Sequence, residues 1–379
     1  MYKREIENII SKYLDNDKIL ILYGPRQTGK TTFIEYFLKG YKHAKLLNCE
    51  HPEIFDILSK GKPEEITLLF GNNKIIALDE AQVIPDIGKK LKLIYDTYGS
   101  KYKIIATGSS SFELSGKLHE PLTGRNLKFN IFPLSYREII QKHDWLWWRQ
   151  KQDEMLIYGT YPGIIDLPVN DKKLYINSLA SDYLFKDIVN FENIRNSDKL
   201  RKLLKALAWQ VGSQVSYNEL AQTVGMSQPS VVKYLDLLEK SFIIFKLSAF
   251  SKNLRNELKK SYKYYFIDNG IRNAVIQNFS SMHMRNDSGA LWENYCISER
   301  IKYVRYVDFF RQLFFWRTYD GSEIDLIEQT DEKIYAYDFK FGKQKKHRFS
   351  KSFIDTYKPK QAKTITPDTI PDFLDVNAP

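Results

Sequence analysis

The sequence predicts an α/β chain that opens with a parallel sheet wound by helical crossovers. A helix-rich middle with a helix-turn-helix follows, and then a second α/β segment. Three observations carry this expectation. Up to about residue 130, short apolar runs at 44–49, 66–70, 75–79, 103–107 and 127–131 read as strands between helical or loop segments. After Pro133 the spacing turns helical, and near the end two strand-like runs flank a polar turn. With 379 residues, the chain is long enough for two or three domains that each bury a core.

The first element is the run at residues 19–23, followed by Gly24-Pro25-Arg26-Gln27-Thr28-Gly29-Lys30-Thr31-Thr32 and a segment that restarts with helical spacing. Strand, glycine-bounded turn and helix is the context a P-loop requires. Its backbone N–H groups curl around phosphates, Lys30 brings a point charge to the β- and γ-phosphates, and Thr31 offers a hydroxyl to Mg²⁺. The run Ile75-Ile76-Ala77-Leu78 then ends in Asp79-Glu80, as expected of a parallel strand buried on both faces and opening at its carboxyl edge. Asp79 is expected to hold Mg²⁺ and Glu80 to orient or deprotonate an attacking water, so the tandem acid favours hydrolysis over nucleotide holding alone. Residues 104–111 end another strand in a hydroxyl-rich tip beside Asp79. Either Thr107 or Ser109 is a candidate contact to the γ-phosphate or the water. Arg125 and Arg137 are the candidates for an arginine that neutralises transition-state charge.

GPRQTGKTT, IIALDEAQ, ATGSSS and LTGRNLKFNIFPLSYREI together resemble a prokaryotic family of AAA-type P-loop ATPases over about the first 190 residues. The resemblance implies an ATP-dependent motor or switch core at 1–132 with a helical lid at 133–195. Trp145, Trp147 and Trp148 are expected to pack that lid. Family members often carry a C-terminal extension of unknown function, and this chain continues similarly through YLFKDIV and YKYYFIDNGIRNAV. An AAA-type core with a candidate finger at Arg125 further implies a homo-oligomer in which one subunit completes its neighbour's site.

A winged-helix domain is expected over 196–275. Ser216 precedes a helical run to Val224, Gly225-Met226-Ser227 makes a turn, and Gln228 to Glu239 restarts a helix with Val231, Leu235 and Leu238 on one face. Ser227, Gln228, Ser230 and Lys233 are placed to meet a major groove. Residues 242–247 and 262–267 read as the strands of the wing, with a basic loop between them. Such modules also dock proteins, so both DNA and protein remain open as partners.

At 285–379 the order Glu293, Asp325, Asp338-x-Lys340 resembles the restriction-endonuclease-like PD-(D/E)xK group. With a four-residue turn at 329–332, Asp325 faces Ala336 and lies diagonal to Asp338, putting both acids on one face with Lys340. Two carboxylates and a lysine so placed bind Mg²⁺ and polarise a phosphodiester, unless the fold is kept for binding alone.

The net charge of +11 and pI near 9.2 suit an anionic partner, and the basic residues concentrate at 252–263 and 340–348. Cys49 and Cys296 make no metal spacing, and no apolar run reaches membrane-spanning length. The start lacks a signal-peptide core, so a cytoplasmic protein with ATP and Mg²⁺ as cofactors is expected.

Overall fold

The computed structural model describes residues 1–108, 122–181, 197–250, 262–307, 310–318, 321–331, 333–342 and 349–374. The chain divides into two compact units, Met1–Pro133 with Lys240–Phe242, and Leu134–Glu239 with Ile243–Pro379.

The first unit is built on a parallel five-stranded sheet. Its strands are β1 (Ile19–Tyr23), β2 (Ala44–Asn48), β3 (Ile75–Asp79), β4 (Lys103–Gly108) and β5 (Asn126–Asn130), in the order β2-β3-β4-β1-β5. All five residues of β1 are buried, which is why it reads as a continuous apolar run rather than an alternating one. The helix Ile87–Tyr98 buries Ile87, Leu91 and Ile94 at helical spacing, in the same core cluster as Leu47, Ile76 and Ile104. Because β4 lies between β1 and β3, its tip stands between the end of the P-loop strand and Asp79.

One expected strand is a helix. Residues 66–70 belong to the helix Pro63–Phe70, where Pro63 stands in the first turn and the Glu65 carboxylate accepts from the Lys62 N–H at 3.0 Å. Ile66 and Phe70, four residues apart, put their apolar side chains on the core side. A short apolar run fits either period, and the proline with two following glutamates decides it.

The second unit begins with helices. Tyr136–Lys142 is started by a capping box in which the Ser135 Oγ accepts from the Glu138 N–H and the Glu138 carboxylate accepts from the Ser135 N–H, at 3.1 and 3.0 Å. Trp145–Tyr158 buries Trp148 completely, and the Trp148 indole donates to the Tyr295 hydroxyl at 3.0 Å. Trp145 is exposed, and Trp147 stacks on His143.

Two helices, Tyr217–Val224 and Gln228–Lys240, follow one another across a turn, with the Ser216 Oγ capping the first and Gly225 at φ 66° closing it. Val231, Leu235 and Leu238 are buried. The following strands are β7 (Ile244–Ala249) and β8 (Tyr262–Phe266), an antiparallel pair. The first starts two residues later than expected, because Phe242 is left-handed at φ 56°.

These strands continue into the C-terminal segment. With β6 (Gln214–Val215), β9 (Gln312–Arg317), β10 (Glu323–Thr330), β11 (Lys333–Phe339) and β12 (Gln361–Ile365), they make one seven-stranded mixed sheet, ordered β12-β11-β10-β9-β7-β8-β6. The parallel pairing of β7 with β9 carries the sheet across residues 275–285, where the sequence suggested a boundary. The long helix Ser288–Tyr306 packs on this sheet through β8 and β11.

Candidate functional site

In the first unit the P-loop is held by its own backbone. Gly29 caps the helix Lys30–Leu38 at φ 84°, a conformation that favours glycine. Gly24 is needed for a different reason, because a Cβ there would lie 2.0 Å from the Ile131 carbonyl oxygen beyond the end of β5. The Lys30 ammonium donates to the Gly24 and Pro25 carbonyls at 3.0 and 2.8 Å, and Thr28 Oγ1 donates to Pro25 at 2.9 Å. Gly24, Pro25, Thr28 and Lys30 are buried, whereas Arg26, Gln27, Thr31 and Thr32 face solvent.

Thr31 Oγ1 donates to Asp79 Oδ2 at 2.7 Å, and Thr107 Oγ1 donates to the other oxygen, Oδ1. The Glu80 N–H in turn donates to Thr107 Oγ1 at 3.2 Å. Asp79 is 3% exposed, so both its oxygens are fixed by hydroxyls from neighbouring elements, one of them exposed. Glu80 sits at φ 52°, a left-handed conformation uncommon for a non-glycine residue, and the Gln82 amide donates to its carboxylate. Ser109 lies outside the described residues.

Hard oxygen donors from a hydroxyl and a carboxylate, 2.7 Å apart at a helix N-terminus, fit a Mg²⁺ ion that keeps several of its waters. Arg125 is elsewhere. Its carbonyl accepts from the Ile19 N–H at the start of β1, the end of the sheet opposite the P-loop, and its guanidinium grips Asp96 at 2.7 and 3.2 Å. It therefore does not reach its own chain's phosphate cradle. Arg137, in the second unit, lies over the Tyr303 ring.

The second unit brings acids together differently from the expected register. Gln329 pairs with Ile334 and Thr330 with Lys333, so only residues 331 and 332 separate the strands, and Ala336 faces Ile327 rather than Asp325. Extending the ladder satisfies more backbone groups than a four-residue turn would. Asp325 consequently lies against Asp338. Its N–H donates to Asp338 Oδ1 at 3.2 Å, and its own Oδ2 accepts from the Phe339 N–H at 2.9 Å. Both carboxylates are buried, whereas Lys340 is exposed just beyond β11.

Glu293, on the helix Ser288–Tyr306, accepts from the Tyr265 hydroxyl at 2.7 Å and pairs with the Lys263 ammonium at 3.5 Å, and Lys263 also pairs with Glu323. Lys263 is a correction to the sequence reading. It closes the basic run 252–263, yet it is 1% exposed, and 252–261 and 343–348 lie outside the described residues. Burial opposes its charge, but Glu293, Asp325 and Glu323 outweigh burial and raise its pKa. Among the described residues, no three His, Cys, Asp or Glu side chains are grouped to hold a metal ion.

Burial and the nearby Asp325 push the Glu293 carboxyl from 4.5 up to about 7, against the opposing pull of Lys263 and the Tyr265 hydrogen bond. Stability contributed by a raised acid is full below its unfolded value and is lost as pH rises through the folded one. Glu293→Gln, which keeps the shape but not the titration, should therefore gain Tm relative to the original protein as pH climbs from about 4.5 to about 7. A Tm difference that stays constant across that window would contradict the assignment.

Gln82 stands in IIALDEAQ, and Lys263 and Tyr265 in YKYYFIDNGIRNAV, yet the sequence assigns a role in the site to none of them, nor to Glu323. Gln82 alone carried a signal, standing two residues after the tandem acid.

An AAA domain family model matches residues 16–140. Two domains of unknown function match the rest, one (DUF8612) over 149–282 and one (DUF4143) over 288–370. The chain is 24% identical over 341 residues to an uncharacterized protein of Mycobacterium tuberculosis, covering 89% of this chain and 74% of that one. It is 23% identical over 348 residues to an uncharacterized protein of Haemophilus influenzae, covering 86% and 83%. Among solved structures it is similar to a Walker-type ATPase of Pyrococcus abyssi, with a TM-score of 0.51, 16% identity, and 73% of this chain and 96% of that chain covered. The first unit thus has the fold of a P-loop AAA-type ATPase. Among the described residues, no helix is long and apolar enough to cross a membrane.

Proposed function

We propose that the first unit hydrolyses ATP with Mg²⁺ and that the C-terminal half binds DNA under its control. The observation that carries the first part is the Thr31–Asp79 hydrogen bond, which ties the P-loop helix to the tip of β3. Bound there, Mg²⁺ would neutralise charge on the β- and γ-phosphates. Lys30, now on two loop carbonyls, supplies the fixed positive charge of the cradle, and Thr107 holds Asp79 in place. Glu80, oriented by Gln82 and by its backbone bond to Thr107, acts as the base or positioner of the attacking water. Phosphate release from ATP by the purified chain is the test, and a chain that binds ATP without releasing phosphate sinks the hydrolysis claim.

Arg125, being remote from its own cradle and partly exposed, is assigned to a neighbouring subunit's site in a homo-oligomer. Mixing Arg125→Ala with Lys30→Ala protein should then restore part of the lost activity. Additive inactivity would remove Arg125 from catalysis.

The helix-turn-helix supports DNA as the partner. Ser227, Gln228 and Lys233 are exposed on or beside the second helix, and the chain carries excess positive charge. Affinity for unrelated duplexes should fall steeply with salt. Lys233→Ala should weaken binding about equally on all of them and lower the salt slope by about one. Binding that is insensitive to salt would favour the competing reading, in which this module and an inactive nuclease-like fold dock a protein.

DNA cleavage is the more specific reading of the C-terminal segment. It is favoured by the facing pair Asp325 and Asp338, preceded by a helix carrying Glu293 and followed by Lys340. In that reading Asp325 and Asp338 hold a divalent cation and Lys340 polarises the phosphodiester. Nicking of plasmid in Mg²⁺ or Mn²⁺ that is lost in Asp325→Ala and Lys340→Ala supports it, and nicking unchanged in both removes it.

A further inference from the structure

We infer that Arg4 is a positioning residue of the nucleotide site, fixing the outer face of the P-loop so that its backbone donors stay aimed at the phosphates. The inference rests on the ATP reading above. Arg4 is 4% exposed, although it lies among charged residues at the start of the chain and belongs to no motif. One guanidinium nitrogen, Nη1, donates to the Thr28 carbonyl at 2.6 Å, and the other, Nη2, donates to the Phe132 carbonyl at 2.6 Å.

The first bond sets a peptide plane. In a trans peptide the C=O and the following N–H point to opposite sides. A Thr28 carbonyl held by Arg4 therefore sends the Gly29 N–H away from Arg4, toward the concave side of the loop. Gly29 is left-handed at φ 84°, so this peptide has more freedom to flip than one between ordinary residues, and an external clamp matters most there.

The second bond anchors the clamp. Phe132 follows Ile131, whose N–H donates to the Tyr23 carbonyl at 2.6 Å and whose carbonyl oxygen is the atom that excludes any side chain at Gly24. Arg4 thus joins the exit of the loop, at Thr28, to the backbone packed against its entrance, at Gly24. A guanidinium presents its donors in a rigid planar fork, which an ammonium on a flexible stem does not reproduce.

A clamp on loop geometry acts on ground state and transition state alike, so its loss should raise KM with kcat nearly kept. Arg4→Ala is expected to bind a fluorescent ATP analogue about tenfold more weakly, the size of one charge-assisted hydrogen bond. Guanidinium chloride, but not equimolar sodium chloride, should restore the affinity, because the small cation can refill the space between the two carbonyls. Arg4→Lys, which keeps charge and most of the bulk, provides the same comparison if Arg4→Ala fails to fold, and should show a raised KM at wild-type kcat. Wild-type affinity in a folded variant, or lost affinity without guanidinium-specific recovery in Arg4→Ala, overturns the inference. Wild-type protein that binds no nucleotide overturns the ATP reading instead, and this inference with it.

Discussion

Glu80→Gln is expected to keep ATP affinity and lose turnover by about 10²- to 10⁴-fold, the range that a positioned general base contributes. The substitution preserves the outline of the side chain and an oxygen able to accept from Gln82, but removes the basic oxygen. Lys30→Ala should behave in the opposite sense. Its ammonium lies within the loop on the Gly24 and Pro25 carbonyls, so removing it takes a fixed positive charge from the cradle and weakens binding itself. Titration with a fluorescent ATP analogue and phosphate-release assays on both variants separate the two roles. Full turnover in Glu80→Gln would refute the assignment of Glu80.

The second large effect is on stability. Glu328 is fully buried in β10 and is shared by two arginines. Arg300, on the helix Ser288–Tyr306, grips both carboxylate oxygens, one of them at 2.8 Å, and Arg311 reaches Oε2 at 2.7 Å. Arg300 also donates to the Phe373 carbonyl and lies over the Tyr303 and Phe373 rings. Removing the acid alone leaves two largely buried guanidinium groups without their counter-charge, which costs about 3–5 kcal/mol. Glu328→Leu should therefore lower Tm sharply. The triple variant Glu328→Leu, Arg300→Met and Arg311→Leu should recover much of the loss, because it replaces the whole buried charge cluster by apolar side chains and leaves neither guanidinium without its counter-charge. A single variant as stable as the original protein would mean that the cluster contributes nothing to the fold.

How much of this was legible in the sequence depends on how far a requirement is confined to neighbouring residues. A P-loop needs particular glycines, a lysine and a hydroxyl within nine positions, so its residues announce themselves. The tandem acid after a buried strand does the same, and sheet topology alone places β4 between β1 and β3. Arg4 carries no such signature, because its partners are backbone carbonyls 24 and 128 positions away, and carbonyls leave no mark on residue identity. Lys263 was hidden for the opposite reason. It ends a basic run that reads as solvated surface, and only the sheet shows it buried against Glu293 and Glu323. The shift of Asp325 from facing Ala336 to lying against Asp338 turned on the length of one polar turn, which Gln329 and Thr330 shorten by pairing. Residues 66–70 show the limit of short apolar runs, whose period is undefined until the flanking proline and glutamates are weighed.

The most direct test of the central claim is steady-state phosphate release from ATP by the purified protein, with Mg²⁺ and with a chelator, alongside Asp79→Asn. This substitution keeps a side chain that can meet Thr31 and Thr107 but removes the charge. Phosphate release is expected from wild type only when Mg²⁺ is present, and none above background from Asp79→Asn. Release that persists in chelator, or a full rate from Asp79→Asn, would contradict a Mg²⁺ site built from Thr31 and Asp79.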